Sequence, residues 1–156
     1  MVADMQWGVI RLEKIRNIKR ILVGVDASDD AQLAFRVAIH RARELGADLY
    51  IVNVIEDHDI NVYEKLDDDF MRRKRSMHGE TLTKYKQLAE EAGVKNVKII
   101  SVEGNPGKTI VKDVIPSVKP DLLIVGSIGK QGVRKYFGSQ AAYMAKYSPV
   151  SVLVVR

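Results

Sequence analysis

Near its C-terminus the chain reads Asp121-Leu-Leu-Ile-Val-Gly-Ser-Ile-Gly129 and then, after a spacer of eight residues, Gly138-Ser139. The apolar run predicts a buried strand, and the glycines predict a loop that leads into a helix. Proteins of the α/β class build phosphate sites in this way, because glycines let backbone N–H groups approach the anion and the helix N-terminus adds partial positive charge. Ser139 would then be the N-cap of the helix and a hydroxyl donor to phosphate. The glycines are also consistent with a tight turn alone, so the interpretation depends on the rest of the chain.

Four further apolar runs have the length and unbroken aliphatic composition of strands that are buried on both faces. Together with the run at Leu122–Val125, they predict strands at Ile21–Val25, Leu49–Ile55, Val97–Val102 and Val150–Val155. Helical segments separate the strands, and a polar stretch from 56 to about 69 is predicted to be a loop that runs into the second helix. This alternation predicts an α/β fold: one doubly wound, five-stranded parallel sheet with helices on both faces. We expect residues 1–19 to form an N-terminal extension and residues 20–156 to form the domain.

Residues that favour helix ends mark the boundaries of the predicted helices. Ser28 or Asp29 is positioned to cap the first helix, and Gly46 is positioned to end it. Asn105 directly precedes Pro106, which is the pattern of an N-cap followed by proline at the first helical position. The first and third predicted helices therefore have defined starting points.

The composition of the chain excludes several kinds of site and function. The 156 residues suffice for one domain with a real core, and their net charge of +5 favours contact with anions without indicating nucleic acid. The chain contains no cysteine, which excludes disulfides, thiol catalysis and cysteine-ligated metal. No apolar run approaches the roughly 18 residues that a membrane span requires. We therefore expect a cytoplasmic protein without a membrane-spanning segment.

Two predicted loops lie at the carboxyl ends of strands, where doubly wound sheets bind ligands at the point of winding reversal. One loop begins at Asp26 after the first strand, and the other is the glycine segment Gly126–Ser139 after the fourth. If the strand order is 3-2-1-4-5, these two strands are neighbours and Asp26 faces the glycine loop across one cleft. A carboxylate that accepts from ribose hydroxyls, beside N–H groups that bind phosphate, would form a nucleotide site. Helix capping is the alternative role for Asp26.

Short segments along the chain carry a resemblance to a known family: Ile21–Asp26, Asp57, Gly104–Pro106, Asp121–Gly129 with Gly138-Ser139, and the closing strand Val150–Val155. In these segments and in their order, the chain resembles the universal stress protein family, as a single-domain member. The resemblance covers nearly everything from residue 20 to the end of the chain. It implies the strand order 3-2-1-4-5 and assembly as a homodimer.

One branch of that family binds ATP, and the resemblance implies a nucleotide-binding set in this chain. In that set Asp26 holds the ribose, and Val25 and Val54 frame the adenine. The phosphates of ATP, with Mg²⁺ as a possible companion, are wrapped by Gly126, Gly129, Gly138 and Ser139, with Gln140 beside them. Two departures from the family's pattern weaken the transfer. The spacer before Gly138 is one residue short, and Gln140-Ala141 replaces an aliphatic residue followed by a hydroxyl residue.

If a nucleotide binds, its contact with the backbone explains why glycines occupy these loop positions. Phosphates need close backbone approach at Gly126 and Gly138, where a Cβ would intrude. We expect Gly138→Val to abolish binding and to leave the fold largely intact, because the loop lies outside the predicted core.

Other sites are less well supported by the sequence. The segment Gly104–Thr109 ends like a P-loop, but Val102 stands where a P-loop has its first glycine, so we interpret the segment as a capped helix start. The basic run Arg72–Arg75 lacks interleaved aromatic residues, and we interpret it as a solvated helix face rather than a nucleic-acid site. The three histidines lack the spacing of metal ligands.

Two functions of different classes follow from this sequence. The first is a stress-response regulator that binds ATP or a related adenine nucleotide, and the second is a family member that binds no nucleotide and acts as a dimeric interaction module. A slow nucleotide hydrolase or nucleotidyl-transfer enzyme is the least supported, because no base is positioned for it. In either case we expect a homodimer built on strand 150–155, because a bare β-branched edge would template aggregation.

Overall fold

The computed structural model of the protein describes residues 17–57, 60–128 and 138–156. Within these ranges five strands form one parallel sheet in the order β3-β2-β1-β4-β5. The strands are β1 (Arg20–Gly24), β2 (Asp48–Glu56), β3 (Val97–Gly104), β4 (Leu122–Gly126) and β5 (Ser151–Val155). The predicted fold class and strand order are confirmed. Of the proposed N-terminal extension, only residues 17–19 lie in the described part.

Helices cover both faces of the sheet. They are α1 (Asp29–Leu45), α2 (Val62–Leu66), α3 (Asp68–Glu91), α4, which runs through Pro106–Thr109, a π-helical turn at Ile110–Val114 and Ile115–Val118, and α5 (Ser139–Tyr147). Helices α1 and α3 lie on one face, and α4 and α5 lie on the other. No helix in the described ranges is both long and apolar enough to cross a membrane.

The sheet is buried on both faces, which explains why its strands read as unbroken aliphatic runs. Alternate residues of β1 point to opposite faces. Ile21 and Val23 join the cluster beneath α1 and α3, whereas Leu22 joins the cluster beneath α4 and α5. All three side chains are fully buried. Each contributes on the order of 1.5–3 kcal/mol by removal from water, so the position of β1 at the centre of the sheet is strongly determined.

Three predicted helix ends are confirmed. The Ser28 hydroxyl accepts a hydrogen bond from the Ala31 N–H at 3.1 Å, so Ser28 rather than its neighbour caps α1. Gly46 ends this helix in the left-handed region, with φ of 61°. The Asn105 carboxamide oxygen accepts from the Lys108 N–H at 3.1 Å and caps α4.

The predicted N-cap of α5 is wrong by one residue. Gly138 has the extended backbone of an N-cap, with φ of −61° and ψ of 143°, and Ser139 is the first helical residue. The shift arises because the Gly138 N–H donates to the Ser127 carbonyl at 2.8 Å, which fixes the end of the preceding loop at Gly138. No side chain within the described ranges caps α5, and its first N–H groups have no acceptor there.

The predicted loop from 56 to about 69 is wrong at its centre, where α2 forms. Asn61 caps this short helix by accepting from the Glu64 N–H at 2.9 Å, and the Glu64 carboxylate accepts from the Asn61 N–H at 2.9 Å. This reciprocal capping box was readable in the sequence as Asn-x-x-Glu. The polar composition of the segment concealed it, because none of the residues of α2 is buried.

Two glycines provide a matched test of the packing between β4 and α1. A Cβ on Gly126 would lie 2.7 Å from the Asp30 carbonyl carbon and 2.8 Å from the Ala31 nitrogen, whereas a Cβ on Gly79 in α3 would meet nothing within 4 Å. We expect Gly126→Ala to lower the free energy of unfolding by about 1–3 kcal/mol, because the helix backbone must move. Gly79→Ala should raise it by about 0.5–1 kcal/mol, because alanine favours the helix. Urea unfolding followed by circular dichroism measures both, and a Gly126→Ala variant as stable as wild type would contradict the close packing.

Candidate functional site

An open cavity of about 1030 Å³ lies at the carboxyl ends of β1, β2 and β4. Its floor is formed by the strand ends, and its walls come from α3 and from the first turns of α1, α4 and α5. The volume lies at the upper end of the range of about 300–1,000 Å³ that is typical of ligand sites. The cavity occupies the point where the winding of the sheet reverses, as the sequence predicted.

The structure brings nearly all of the predicted site residues together. The members of the predicted set that line the cavity are Val25, Asp26, Val54, Gly126, Gly138, Ser139 and Gln140. Gly129, the remaining member, lies outside the described residues. Residues from the ends of three different strands and from the start of α5 therefore meet in one place, although more than 100 positions separate the first from the last.

The Asp26 carboxylate makes one hydrogen bond within the protein and has a second oxygen that can accept from a ligand. Its Oδ1 atom accepts from the Ser28 N–H at 2.7 Å, which shapes the turn before α1. Because Ser28 itself caps the helix, the alternative role of Asp26 as N-cap is wrong. No described residue donates to Oδ2, and the half-buried side chain lines the cavity. Asp26 can therefore accept hydrogen bonds from a ligand while it keeps its hydrogen bond from the Ser28 N–H.

Two glycines of the loop, Gly126 and Gly138, are required by the packing of the protein itself. A Cβ on Gly138 would lie 2.6 Å from the Ser127 carbonyl oxygen, and a Cβ on Gly126 would meet the backbone of α1. The expectation that Gly138→Val leaves the fold largely intact is therefore wrong, because the substitution would displace the loop backbone. Loss of ligand binding in that variant would not identify a phosphate contact, so other positions must test the site.

The start of α5 presents hydrogen-bond donors to the cavity. The N–H groups of Ser139, Gln140 and Ala141 have no acceptor among the described residues, and all three residues line the cavity. Unsatisfied N–H groups at a helix N-terminus carry partial positive charge and bind phosphate readily. The exposed Ser139 hydroxyl lies beside them and adds a further donor.

The Gln140 side chain connects α5 to α4. Its Oε1 atom accepts from the Gly107 N–H at 2.7 Å, in the first turn of α4. This bond consumes a donor that a phosphate-binding loop would use, and Asn105 caps the same turn. The interpretation of this segment as a capped helix start, and not a P-loop, is confirmed. Gln140 can reach a ligand only through its backbone N–H or its side-chain amino group.

Asn53, His78 and Tyr85 also line the cavity and were missed by sequence reasoning. Asn53, only 8% exposed, donates from Nδ2 to the Val25 carbonyl at 2.9 Å, and its Oδ1 bonds to Nδ1 of His78. The polar Asn53 inside the apolar run of β2 was the available signal, because a buried polar side chain must find a partner. His78 and Tyr85 carried no such signal, since α3 reaches the cavity only through tertiary packing.

The basic run of α3 divides into two pairs. Arg72 pairs with Asp69 at 3.5 Å and Arg75 pairs with Glu103 at 2.6 Å. The hydrogen bond to Glu103 raises the pKa of Arg75 above its ordinary value. Arg73 and Lys74 instead line the cavity and form no ion pair within the described part of the chain. The interpretation as a solvated helix face therefore needs correction for these two cations, which add positive charge to the cavity wall.

Tyr85 joins α3 to the turn that carries Asp26. Its hydroxyl donates to the Asp26 carbonyl at 3.4 Å, and its ring meets Phe35 edge-on with 4.7 Å between the ring centroids. Burial raises the pKa of Tyr85 above its ordinary value, and the Asp26 carboxylate raises it further. The folded protein therefore favours the neutral phenol.

A family model matches nearly the whole chain. Residues 17–156 match the model of the universal stress protein family. The chain belongs to this family. A protein of Staphylococcus saprophyticus named for the same family is 36% identical over 139 residues, which cover 88% of this chain and 83% of that protein.

Solved structures agree with the fold. The universal stress protein UspA from Lactobacillus plantarum superposes with a TM-score of 0.80 at 24% identity, covering 90% of this chain and 99% of the other. A universal stress protein solved in complex with cAMP superposes with a TM-score of 0.68 at 25% identity, covering 90% of this chain and 98% of the other. Some structural neighbours of this chain thus bind adenine nucleotides.

The raised pKa of Tyr85 predicts a pH dependence of stability. The stabilising contribution of the bound proton is complete below the unfolded pKa of about 10 and is lost as the pH rises through the higher folded value. We expect the free energy of unfolding of wild type to fall relative to that of Tyr85→Phe once the pH exceeds about 10. Urea unfolding of both proteins across the alkaline range measures this difference. A constant difference at every pH would show that the phenol titrates normally.

Proposed function

We propose that this protein binds an adenine nucleotide as a regulatory ligand in the cavity and acts as a homodimer in the stress response. The observation that carries the proposal is the meeting of a carboxylate acceptor, Asp26, and an uncapped helix N-terminus, that of α5, in one cavity. Ribose hydroxyls require acceptors and phosphates require donors, so a nucleotide satisfies both ends. The relative that was solved with cAMP supports the same ligand class.

The cavity offers a position for each part of the ligand. Val25 and Val54 contribute apolar surface for the base, and the Asp26 carboxylate contributes an acceptor for the ribose hydroxyls. The phosphates would be bound by the N–H groups at the start of α5 and by the Ser139 hydroxyl, with Gly126, Gly129 and Gly138 forming the loop around them. ATP with Mg²⁺ is the proposed form of the ligand. The short spacer before Gly138 favours an affinity in the low micromolar range or weaker.

The rival proposal is a family member that binds no nucleotide and acts as a dimeric interaction module. One observation favours it: the Gly138 N–H, which would otherwise be a donor at the cavity, already bonds to the Ser127 carbonyl within the protein. Under either proposal, the N–H groups at the start of α5 have no acceptor among the described residues. Calorimetric titration of the protein with ATP and magnesium, with AMP and with cAMP separates the two proposals, and no heat at millimolar concentration of any of the three would favour the interaction module.

Asp26→Asn provides the sharpest test of the nucleotide site. Asparagine keeps an Oδ1 acceptor for the Ser28 N–H and so preserves the turn, but it removes the charge that strengthens hydrogen bonds from ribose. We expect ATP binding to weaken by about 1–3 kcal/mol. Asp29→Asn is the matched control, because Asp29 is exposed in the same turn and does not line the cavity. Equal affinity in wild type and Asp26→Asn would place the ribose elsewhere.

The proposed dimer interface is the outer edge of β5. This strand pairs with β4 on one side, and its other edge has no backbone partner among the described residues. Pairing with a second copy in antiparallel register would satisfy these groups and close the assembly with two-fold symmetry. Val154 is half-buried against α4 and α5 of its own chain, so Leu153, on the opposite face and 37% exposed, is the better position to test.

Leu153→Lys should convert the dimer to a monomer. Across a two-fold pair of β5 strands, the introduced lysines of the two copies would repel each other and interrupt an apolar contact. Ile99→Lys is the matched control, because Ile99 is also 37% exposed and lies on β3 at the opposite edge of the sheet. Sedimentation equilibrium measures both variants. A dimer that persists in Leu153→Lys but dissociates in Ile99→Lys would show that β3, and not β5, forms the interface.

A further inference from the structure

The carbonyl of Val25, at the end of β1, is bonded by a side chain instead of by the backbone of the neighbouring strand. Gly24 lies opposite Val52 in β2, and the Val25 N–H donates to the Val52 carbonyl at 2.9 Å. A regular parallel ladder would continue with a bond from the Val54 N–H to the Val25 carbonyl. Within the described ranges no backbone N–H makes that bond, and Nδ2 of Asn53 donates to the carbonyl at 2.9 Å. The ladder between β1 and β2 therefore ends on the Asn53 amide.

The amide of the buried Asn53 side chain is held on both of its sides. Oδ1 bonds to Nδ1 of His78 on α3, while Nδ2 faces the Val25 carbonyl. A carbonyl only accepts hydrogen bonds, so the amide atom that faces it must be the donor Nδ2. Turning the amide over would place two oxygens against each other, and a buried polar group that loses its partner is costly. The orientation of this donor is therefore fixed during folding.

The bond to Val25 fixes the beginning of the turn that carries Asp26. Asp26 is the next residue along the chain, and its own carbonyl accepts from the Tyr85 hydroxyl at 3.4 Å. Both carbonyls are thus bonded by side chains, and the chain leaves the sheet toward α1 after Val25. The Asp26 carboxylate stands on this turn, where Oδ1 accepts from the Ser28 N–H at 2.7 Å. Its place in the cavity therefore depends on where the backbone turns.

We propose that Asn53 is a positioning residue for the ribose: its amide holds the Val25 carbonyl and so places the Asp26 carboxylate where it accepts from the ribose hydroxyls. This inference rests on the proposed function. Asn53 needs no contact with the ligand for this role. Without the amide, the Val25 carbonyl would be left to the Val54 N–H, and β1 would extend further before the chain turned. Asp26 would then be displaced, and hydrogen bonds to its carboxylate weaken steeply when their geometry is poor.

The experiment measures the contribution of the ribose hydroxyls alone. Calorimetry compares magnesium ATP with magnesium dideoxy-ATP, which lacks both hydroxyls and keeps the base and the phosphates. The ratio of the two dissociation constants reports the bonds that Asp26 accepts, whereas a general distortion of the cavity would weaken the binding of both ligands alike. Wild type should bind ATP at least about tenfold more tightly, because the charged acceptor loses its donors with dideoxy-ATP.

Asn53→Leu should remove most of this ratio. Leucine has a similar size and no donor, so the Val25 carbonyl loses its bond. We expect the ratio to fall toward one through weaker ATP binding, with a much smaller change for dideoxy-ATP. Asn53→Asp is the second variant, and it decides the outcome if Asn53→Leu does not fold. Its carboxylate keeps an oxygen toward His78 but offers the Val25 carbonyl no proton, so the ratio should fall as well at about pH 8.

Asn96→Leu is the matched control. Asn96 precedes β3 at the opposite end of the sheet, where its Nδ2 donates to Oδ1 of Asp48 at 2.9 Å. It is exposed and does not line the cavity. The same substitution there removes a side-chain hydrogen bond of equal length without affecting the turn at Asp26. The ratio of its dissociation constants should equal that of wild type.

A double-mutant cycle tests whether Asn53 acts through Asp26. Asp26→Asn should itself lower the ratio, because it removes the charge of the acceptor. If Asn53 acts by placing that carboxylate, Asn53→Leu should change the ratio much less in the Asp26→Asn background than in wild type. Equal factors in both backgrounds would overturn the inference, because they would show that Asn53 acts independently of Asp26.

A measurement on the unaltered protein does not depend on how the variants fold. Hydrogen exchange of the side-chain amides in asparagine-labelled protein reports whether the Nδ2 protons of Asn53 are bonded. We expect them to exchange more slowly than those of Asn61, whose exposed side chain caps α2 through its oxygen. This protection should be present without ATP and should persist with it. Exchange as fast as in Asn61 would overturn the bond to Val25 and the inference with it.

The outcomes separate this inference from the proposed function. A wild-type preference for ATP that survives in both Asn53 variants would overturn the positioning role and leave the nucleotide site standing. Equal binding of ATP and dideoxy-ATP by wild type would overturn the ribose contact of Asp26, and therefore this inference, but not nucleotide binding itself. Failure of wild type to bind ATP at millimolar concentration would overturn the proposed function and the inference together, whatever the exchange rate of the Asn53 amide.

Discussion

The parallel pairing of β1 with β4 at the centre of the sheet is the constraint on which the rest of the structure depends. The strands run side by side in register, with Val23 opposite Ile124, and so both end at the same edge of the sheet. From there the chain leaves β1 toward α1 on one face, and the helix that follows β4 covers the other face. The two helix starts diverge and leave an opening between them. The cavity is thus a consequence of winding in opposite directions from adjacent strands.

Close packing holds the two sides of this opening at a fixed separation. Gly126 lies so near the first turn of α1 that a methyl group would overlap its backbone. Next to it, the buried Ser127 donates from its hydroxyl to Asp30 of α1 at 2.8 Å and from its N–H to the Val155 carbonyl of β5 at 2.9 Å. The glycine segment is therefore fastened to α1 and β5 at its first two residues, and the bond from the Gly138 N–H to the Ser127 carbonyl ties the start of α5 to the same point.

Polar groups around the cavity are oriented by contacts within the protein. Asn53 is fixed by Val25, His78 by Asn53, and Gln140 by the first turn of α4. Among the described residues, no buried side-chain nitrogen or oxygen lacks a hydrogen-bond partner. A site of this kind needs little rearrangement to receive a ligand, because the cost of orienting its polar groups is met during folding. Positive charge at the cavity comes from Arg73 and Lys74 on α3 and from the N-terminus of α5, and these two helices lie on opposite faces of the sheet.

The strand order followed from the resemblance to the universal stress protein family. The sequence by itself determined the alternation of strands and helices, the parallel sheet, and the cap residues Ser28, Gly46 and Asn105. Each of these depends on periodicity or on residues within a few positions of one another, and such patterns are local. The tertiary structure alone decided the partners of Gln140 and Asn53, which lie 33 and 25 positions away in the chain, at Gly107 and His78. It also decided that Gly126 and Gly138 are required by neighbouring backbone, and that Ser139 follows the N-cap. Contacts between distant segments leave no periodic trace in a sequence, because they are set by how the faces of separate elements pack together.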